Sequence, residues 1–367
     1  MILRHMEVRN QPTYIIAEAG VNHNGDINLA LQLIDIAVDS GADAIKFQTF
    51  VSEKLVSIHA SKAIYQKNTT DPAESQFQML KKLELSESDH FILKAYCEKK
   101  NITFLSTPFD SVSADFLLDQ LKLSTIKIAS GEIATAPLLL QIAKSGASII
   151  LSTGMSTLGD IEEALGVLAF GYLNYSAKPS KTAFMEAYYS SKGQKILQEK
   201  VTLLHCTSDY PAQFDHINLY AMDTLRSAFN LSIGYSDHSV GIAISIAAVA
   251  RGATIIEKHF TIDRNLPGPD HQASLEPDEL KNMVKTIREV ELALGKSIKV
   301  PTSAEIETRL VARKSLIALQ PISCDQTFTE QNLGMQRPGF GISPVKYWDY
   351  LNMTARRDYE VGELIDE

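Results

Sequence analysis

The sequence is poor in cysteine. Its three cysteines, Cys97, Cys206 and Cys324, are far apart and odd in number, and no CxxC motif is present. A disulfide framework usually pairs an even number of cysteines, so these residues indicate free thiols in a reducing compartment. We therefore expect a cytoplasmic protein.

The chain also lacks long apolar runs and an excess of positive charge. No apolar run is long enough to cross a membrane, and the first residues contain no extended hydrophobic region of a secretion signal. The net charge of -9 argues against a general nucleic-acid-binding protein, which usually presents a basic face. A few placed lysines can still bind a small anion. We expect neither membrane nor nucleic acid as a partner.

What the sequence does contain is an alternation of short β-like runs and helical patterns. Helical patterns follow the runs, for example at 27–40, 86–100, 110–121 and 241–251. Eight such pairs predict a (β/α)8 TIM barrel. An open doubly wound sheet is the alternative, but the count of eight and the lack of GxGxxG after the first strand favour the barrel. The eight runs are 14–18, 43–49, 102–107, 125–129, 148–152, 201–205, 233–239 and 255–260.

Polar groups stand at the end of all eight predicted strands. A barrel carries its chemistry at the C-terminal ends of its strands. Solvated turns do not readily explain eight such sets, so we expect them to converge on one site. They are Glu18, Lys46, Gln48, Ser106, Thr107, Lys127, Ser130, Glu132, Ser152, Thr153, His205, Ser236, Asp237, His238, Glu257 and His259.

The pattern changes after residue 295. A helical stretch from Asp278 to Leu294 ends at Gly295, a good C-terminal stop. We predict a barrel domain over 1–295, a linker over 296–304 and a small domain over 305–367, which would bury little surface alone. Within the barrel, 52–78 is predicted to be a polar connection and 172–199 a partly helical surface excursion.

His238 and His259 are the candidate metal ligands. Neutral imidazole binds Mn, Fe, Co or Zn, and two protein ligands leave positions for water and substrate. The alternative is a hydrogen-bonded pair of histidines at the barrel mouth. Asp237 and Glu257 are candidate partners of the two rings. Other histidines are weaker candidates: one at the end of the sixth strand, and two in turns that we expect to be structural or on the substrate side (His205, His23 and His271).

Lys46 and Lys127 interrupt apolar strands. A buried lysine is costly unless it meets an anion, so two ammonium groups in one mouth would form an anion site. The alternative is that each extends to solvent or pairs with a carboxylate. The segments 130–132 and 152–154 add hydroxyls and backbone N–H groups that suit phosphate oxygens.

Glu18 and Glu132 are carboxylates at the same predicted end of the barrel. They could hold sugar hydroxyls or move a proton, and a purely structural role is the alternative. Two lysine cations, two candidate metal-binding histidines and two carboxylates in one mouth imply two ligands. One is a phosphorylated or carboxylated small molecule, and the other is polar.

These motifs, in matching order from Tyr14 to the end, resemble those of bacterial sialic acid synthases. The tail, with the segment 337–343, looks like the antifreeze-like (SAF, β-clip) domain of that family. The motifs are IAEAGVNHNGD at 16–26, KFQT at 46–49, STPF at 106–109, KIASGE at 127–132, LSTGM at 151–155, HCTSDYP at 205–211, GYSDH at 234–238, EKHF at 257–260 and GPDH at 268–271.

The resemblance implies a reaction and a set of roles. The family joins phosphoenolpyruvate to an N-acylated amino sugar, giving a nonulosonic acid and phosphate. It implies that His238 and His259 bind a divalent metal, typically Mn2+ with Mg2+ or Co2+ as alternatives, and that Glu18 and Glu132 are catalytic. Water activation is left open between Glu132 and the metal. The positions implied for phosphoenolpyruvate are Lys46, Thr107, Lys127, Ser130, Ser152, Ser208 and Ser236. Those implied for the sugar are Glu18, Gln48, Phe109, Glu132, Tyr210, Asp270 and Arg337.

The resemblance also implies an assembly. The family forms a domain-swapped homodimer in which the small domain of one chain caps the barrel of the other. Arg337 would then reach the partner's site and touch the acyl group of the sugar. Such capping would explain a small domain that could not easily stand alone.

The sugar itself stays open between N-acetylmannosamine and 2,4-diacetamido-2,4,6-trideoxymannose. Phe47 and the segments 19–24 and 74–77 look more like legionaminic acid synthases than like some N-acetylneuraminate synthases. The pseudaminic acid branch fits less well because it usually lacks the 268–271 form. Some members have asparagine where this chain has Ser208, so one phosphate contact differs.

Two rival functions belong to other classes. A 3-deoxy-ulosonate synthase would also use phosphoenolpyruvate, but a sugar-phosphate substrate calls for extra basic residues at the mouth and leaves the small domain unexplained. A non-enzymatic binding or ice-interacting protein leaves the eight polar strand ends without a purpose.

Overall fold

A computed structural model describes residues 11–62, 66, 70–71, 73–174 and 177–367 of the chain. The chain divides into two compact units, one ending at Gly295 and one spanning Lys296–Glu367. No helix among these residues is both long and apolar enough to cross a membrane.

The first unit is an eight-stranded parallel sheet with helices between its strands, which confirms the predicted (β/α)8 barrel. The strands are β1 (Tyr14–Gly20), β2 (Ala44–Thr49), β3 (Thr103–Pro108), β4 (Thr125–Ile128), β5 (Ser148–Ser152), β6 (Val201–Cys206), β7 (Ser232–Asp237) and β8 (Ile255–His259). The helices are α1 (Ile27–Asp39), α2 (Ser52–Leu55), α3 (Gln76–Lys81), α4 (Glu87–Lys100), α5 (Ser111–Asp115, continued by a π-helical turn over Phe116–Gln120), α6 (Ala136–Lys144), α7 (Leu158–Tyr172), α8 (Lys181–Tyr189), α9 (Ser191–Lys200), α10 (Ala221–Phe229), α11 (Ala243–Ala250) and α12 (Pro277–Leu294).

The strand order is β3-β2-β1-β8-β7-β6-β5-β4, with each neighbouring pair hydrogen-bonded in parallel. Strands β3 and β4 contact each other, but no ladder between them appears in the part of the chain that the structure describes. Glu18 on β1 lies opposite Lys46 on β2 and opposite His259 on β8. The sheet register therefore brings these three residues to one level.

The period of two along each strand separates an outer core from the inside of the barrel. Outward residues such as Ile15 and Ile45 join the large core under the helices. Inward residues form a small apolar floor, and Glu18, Lys46, Thr107 and Ser152 each stand two residues beyond a member of it. The floor consists of Ile16, Ala44, Leu105, Ile150, Leu204 and Ile255.

The described residues of the connection after β2 include short helices and apolar contacts that its composition did not indicate. The connection contains α2 and α3, and its residues Met79 and Leu83 form a buried cluster with Val21 and Phe50. The buried members of this cluster lie outside 52–78, while Leu55 within that segment packs against them. The connection is thus polar in composition, as predicted, with an apolar contact that the prediction did not include.

The excursion over 172–199 consists largely of two helices. Helices α8 and α9 both pack on α7, and the Phe184 ring meets the Phe170 ring edge-on with centroids 5.2 Å apart. This segment is a helical addition to the outside of the barrel.

The second unit has its own small core. It contains α13 (Ser303–Ala312), the antiparallel strands β9 (Ser315–Ala318) and β10 (Leu333–Gln336), and α14 (Tyr347–Tyr350). Its identity as an antifreeze-like domain stays a prediction. The core residues are Leu316, Ala318, Ile322, Phe328, Leu333, Ile342, Ala355, Tyr359 and Ile365.

Candidate active site

A cavity of about 450 Å³ lies at the C-terminal ends of the barrel strands. Every barrel residue that the resemblance implies for catalysis, phosphoenolpyruvate or the sugar lines it, from the ends of all eight strands and the loop after β8, whereas Ser106, Thr153, His205 and Asp237 do not. Another cavity of about 490 Å³, between α6, α7 and α8, is lined by no histidine and no buried lysine. The predicted residues in the mouth are Glu18, Lys46, Gln48, Thr107, Phe109, Lys127, Ser130, Glu132, Ser152, Ser208, Tyr210, Ser236, His238, His259 and Asp270.

Two lysines and two glutamates form a buried charge cluster in this mouth. Lys46 Nζ lies 2.8 Å from Glu18 Oε2 and 3.7 Å from Glu257 Oε2, while Lys127 Nζ lies 3.5 Å from Glu257 Oε1. All four side chains are buried. The lysines thus enter the mouth and also pair with carboxylates. Glu257 connects them, whereas the sequence suggested it only as a histidine partner; its position two residues before His259 was the available signal.

The pKa values of the four side chains in the cluster shift in different directions. Burial raises the pKa of Glu18, against the opposing effect of Lys46. Burial would also raise the pKa of Glu257, but Lys127 and Lys46 lower it below the ordinary range. Although burial alone would lower the pKa of Lys46, the two carboxylates hold it above its ordinary value, whereas burial lowers the pKa of Lys127. Glu257 therefore keeps its negative charge more readily than Glu18 does.

Hydroxyl groups surround the lysines. Thr107 Oγ1 accepts a hydrogen bond from Lys46 Nζ at 3.2 Å, and Ser236 Oγ donates one to Glu257 Oε1 at 2.8 Å. Ser130 Oγ accepts from the backbone N–H of Gly154 at 3.0 Å. Neutral donors beside buried cations suit the oxygens of a phosphorylated acid.

His238 and His259 face each other beside the cluster, with ring centroids 5.7 Å apart. His238 Nδ1 donates to the Thr207 carbonyl at 2.7 Å, so the neutral ring has its lone pair on Nε2, where Tyr210 Oη lies 3.2 Å away. His259 Nδ1 is buried without a hydrogen-bond partner. Burial lowers the pKa of His238 to about 4 and that of His259 well below its ordinary value.

Two neutral, inward-facing imidazoles fit a divalent metal. The described residues contain no group of three or more histidine, cysteine, aspartate or glutamate side chains arranged to hold an ion. A metal held here would therefore have two protein ligands, His238 and His259. Water or substrate would complete its coordination.

Asp237 does not support His238 as we expected. It lies on the opposite face of β7 and pairs with Lys258 at 3.1 Å, with both side chains buried. It also accepts hydrogen bonds from the hydroxyls of Ser239 and Ser245, each at 2.6 Å. Successive strand residues point to opposite faces of a sheet. A residue directly next to an inward-facing site residue in the sequence therefore points to the outside of the barrel.

The other histidines stand outside the mouth. His205 Nε2 donates to the Ile217 carbonyl at 2.7 Å and lines a neighbouring cavity. His271 Nδ1 lies 2.7 Å from Thr261 Oγ1, and His23 Nδ1 accepts from the Gly25 backbone at 3.0 Å. Both are wholly buried. The expectation that His205 shares the site is wrong, and neither His23 nor His271 lines the cavity.

The sequence interpretation missed one whole side of the mouth. This apolar wall comes from the connection after β2 and consists of Leu55, Val56, Met79, Leu80 and Leu83. Its residues are spaced irregularly within a polar stretch, so no strand-end rule identified them. Arg337, which we expected at a partner's site, follows β10 in the second unit and is exposed.

Comparison with known proteins gives relatives over nearly the full chain. The N,N'-diacetyllegionaminic acid synthase of Campylobacter jejuni is 50% identical over 355 residues, covering 97% of this chain and 99% of the relative. The enzyme of the same name from Legionella pneumophila is 44% identical, covering 96% and 93%. A solved structure of the N-acetylneuraminic acid (sialic acid) synthetase of Leptospira borgpetersenii in complex with citrate has a TM-score of 0.65 at 36% identity, covering 82% of this chain and 90% of that one.

The family assignment agrees with the motifs. The profile of the NeuB family matches residues 33–299, which is most of the chain. The resemblance to sialic acid synthases is thereby confirmed. The chain is an enzyme and belongs to the NeuB family, and it resembles legionaminic acid synthases over nearly its whole length.

Proposed function

We propose that this enzyme condenses phosphoenolpyruvate with an N-acylated amino sugar and water, and releases a nonulosonic acid and phosphate. The observation that carries the proposal is the mouth itself, in which a buried two-lysine cluster adjoins a pair of neutral histidines. The names of the relatives support 2,4-diacetamido-2,4,6-trideoxymannose as the acceptor, with N-acetylmannosamine as the alternative.

In this proposal the lysines bind the acid and phosphate groups of phosphoenolpyruvate. Lys46 and Lys127 supply the charge, and the hydroxyls of Thr107, Ser130 and Ser236 direct the oxygens. Ser152 and Ser208 line the same cavity. The two lysines are already buried and held in place by Glu257. Binding an anionic ligand there therefore requires little rearrangement of the side chains, which strengthens the electrostatic attraction.

The histidines define the aldehyde side. His238 and His259 would hold a divalent metal, for which we propose Mn2+, and a bound metal would polarise the aldehyde oxygen as a Lewis acid. Tyr210, Gln48, Phe109 and Asp270 would orient the open-chain sugar. Burial raises the pKa of Asp270 to about 6, which makes this carboxyl able to donate as well as accept near neutral pH.

The proposed reaction forms a carbon–carbon bond and cleaves the C–O bond of the phosphate ester. The C3 carbon of phosphoenolpyruvate uses its enol electron pair to form a bond with the aldehyde carbon, whose oxygen takes up a proton. Water adds at C2 and loses a proton, for which Glu132 is the candidate acceptor. The C2 hydroxyl then loses its remaining proton, which passes to the leaving phosphate, and its oxygen forms the C2 carbonyl as the bond between C2 and the bridging oxygen breaks and that oxygen leaves with phosphate.

We further propose a cytoplasmic, domain-swapped homodimer in which the second unit is an antifreeze-like domain that brings Arg337 to the partner's barrel. The motif resemblance supports this assembly. The small core of the second unit is consistent with a domain that functions by capping another.

The direct test is phosphoenolpyruvate-dependent phosphate release with Mn2+ and a set of acceptors. The set includes the diacetamido sugar, N-acetylmannosamine and a sugar phosphate. Phosphoenolpyruvate labelled with 18O at the bridging position should deliver the label to phosphate. No phosphate release with any N-acylated sugar, or label retained in the sugar acid, would contradict the proposal.

Two sets of variants test the assigned roles. Lys127→Ala should raise the KM for phosphoenolpyruvate sharply, whereas Lys144→Ala on the surface should not. His238→Ala and His259→Ala should abolish turnover and weaken Mn2+ binding measured by electron paramagnetic resonance, while His205→Ala retains both. Wild-type activity in either site-histidine variant would rule out the metal assignment.

A further inference from the structure

One side of the mouth is apolar, although the rest of it is charged. The apolar wall defined above (Leu55, Val56, Met79, Leu80 and Leu83) rises from the connection after β2, while the histidines follow β7 and β8. Phe109 and Val21 continue this surface. The wall belongs to the cavity that also holds the lysines, so it faces a ligand bound there.

The basic residues of this segment are directed away from the cavity. Lys62 donates to Thr70 Oγ1 at 2.8 Å and pairs with Glu74 at 3.2 Å. Lys81 pairs with Glu84 at 2.8 Å, and Lys82 pairs with Glu74 at 2.6 Å. Neither these lysines nor Lys54 line the cavity. Among the described residues of this connection, the wall therefore offers no cation to a phosphate group.

The same segment contributes amide groups. The side chains of Gln66 and Gln76 line the cavity together with the wall. A glutamine amide both donates and accepts, and so matches the amide of an acetamido substituent, while the aliphatic side chains match its methyl group. A hydrophobic surface interspersed with amides suits an acylated deoxy sugar better than a hydroxylated or phosphorylated one.

We propose that the apolar wall selects the acceptor. The ligand it takes is an unphosphorylated amino sugar that turns apolar substituents, a deoxy methyl and acetyl methyls, toward Val56, Met79 and Leu80. This inference rests on the proposed function and names the part of the acceptor that this chain recognises. The wall acts in binding and is separate from the lysine and histidine chemistry.

The experiment compares matched acceptors. We would measure kcat/KM for 2,4-diacetamido-2,4,6-trideoxymannose, its 6-hydroxy counterpart, and N-acetylmannosamine 6-phosphate. The wild-type enzyme should favour the deoxy sugar by about 10-fold or more, the usual effect of a small group in an apolar pocket, and should not use the phosphate. Leu80→Asn and Val56→Thr should reduce the preference to about threefold, through a higher KM for the deoxy sugar at unchanged KM for phosphoenolpyruvate.

The control is Leu140→Asn, a half-buried leucine on α6 outside the cavity, which should keep the wild-type preference. Val56→Thr nearly preserves the side-chain volume, so it still tests the acceptor preference if Leu80→Asn fails to fold. Equal use of both sugars by the wild-type enzyme, or an unchanged preference in Val56→Thr, would overturn the inference and leave the proposed reaction intact. Absence of phosphate release with every sugar would instead contradict the proposed reaction.

Discussion

At the scale of single residues, Gly154 lies between the hydroxyls of Ser130 and Ser208 and the thiol of Cys206. A Cβ at this position would lie 2.3 Å from Ser208 Oγ, 2.8 Å from Ser130 Oγ and 3.1 Å from Cys206 Sγ. Its backbone N–H also donates to Ser130. The missing side chain therefore allows the loops after β4, β5 and β6 to converge on the anion side of the mouth.

Gly154→Ala should damage binding more than folding. The atoms that the methyl group meets are side-chain tips, which can rotate away, but rotation removes them from the anion site. We expect the KM for phosphoenolpyruvate to rise by about 10-fold or more, with the free energy of unfolding changed by less than about 2 kcal/mol. The matched control is Gly131→Ala in the same mouth, where a Cβ meets nothing within 4 Å. An equal KM effect in both variants would contradict this explanation.

His23 and His271 should make the fold sensitive to acid. Burial lowers the pKa of each from 6.5 to about 4, so the unfolded chain binds protons between these values that the folded chain does not. Their contribution is complete above pH 6.5 and is lost as the pH falls toward 4, by up to about 2 kcal/mol per histidine at pH 5. Urea unfolding at pH 7 and pH 5 measures the loss. His23→Gln should reduce it, and His59→Gln, at an exposed position, should not.

At the scale of elements, β7 and β8 each serve two layers. Ser236, Glu257 and His259 point into the mouth, while Asp237 and Lys258 form a buried pair on the outer face that Ser245 ties to α11. The outer pair fixes the position of both strands. It supports the ligand residues without touching a substrate.

Lys258→Met should therefore destabilise the barrel strongly. Removing one partner leaves Asp237 buried without its counter-charge, which typically costs about 3 kcal/mol or more. Lys285→Met is the control, because its partner Glu289 lies 3.8 Å away in an exposed pair that contributes little. Chemical unfolding should separate the two variants clearly. A similar small loss in both would show that the buried pair is dispensable.

The elements that could be predicted were those with a repeated pattern or a rule of position. Short β-like runs that alternate with helical patterns identified all eight strands, and the rule that barrel chemistry lies at their C-terminal ends identified the mouth from Glu18 to His259. The wall residues Val56 and Leu80 were not predicted to line the mouth, because they lie in a loop and short helices whose shape depends on tertiary packing. The role of Asp237 was mistaken because adjacency in sequence was taken for adjacency in the site.

At the scale of the whole molecule, the chain has two units of very different size. The barrel has a large core and contains the mouth, whereas Lys296–Glu367 has a core of nine buried residues. The swapped dimer is a prediction that rests on the motif resemblance. The sequence does not predict the geometry of such an assembly, which would depend on the surfaces of two chains.

Mixing two inactive chains tests the assembly. A chain with Arg337→Ala and a chain with His238→Ala should each be poor catalysts as homodimers. If Arg337 acts on the partner's barrel, a mixed dimer contains one mouth with intact histidines capped by an intact arginine, and activity should approach half of the wild-type value per dimer. Refolded or co-expressed mixtures provide the measurement. A mixture no more active than its components would exclude action across the dimer.

The unpaired meeting of β3 and β4 has a consequence for how the barrel holds together. The proposed anion site spans this seam, because Lys46 and Thr107 lie on one side of it and Lys127 and Ser130 on the other. A bound phosphoenolpyruvate would then connect β3 and β4 through hydrogen bonds to its oxygens, although no backbone ladder among the described residues pairs these two strands. Amide hydrogen exchange along β3 and β4 should therefore slow on binding more than exchange along β6. The ligand would then contribute to the closure of the barrel in which it reacts.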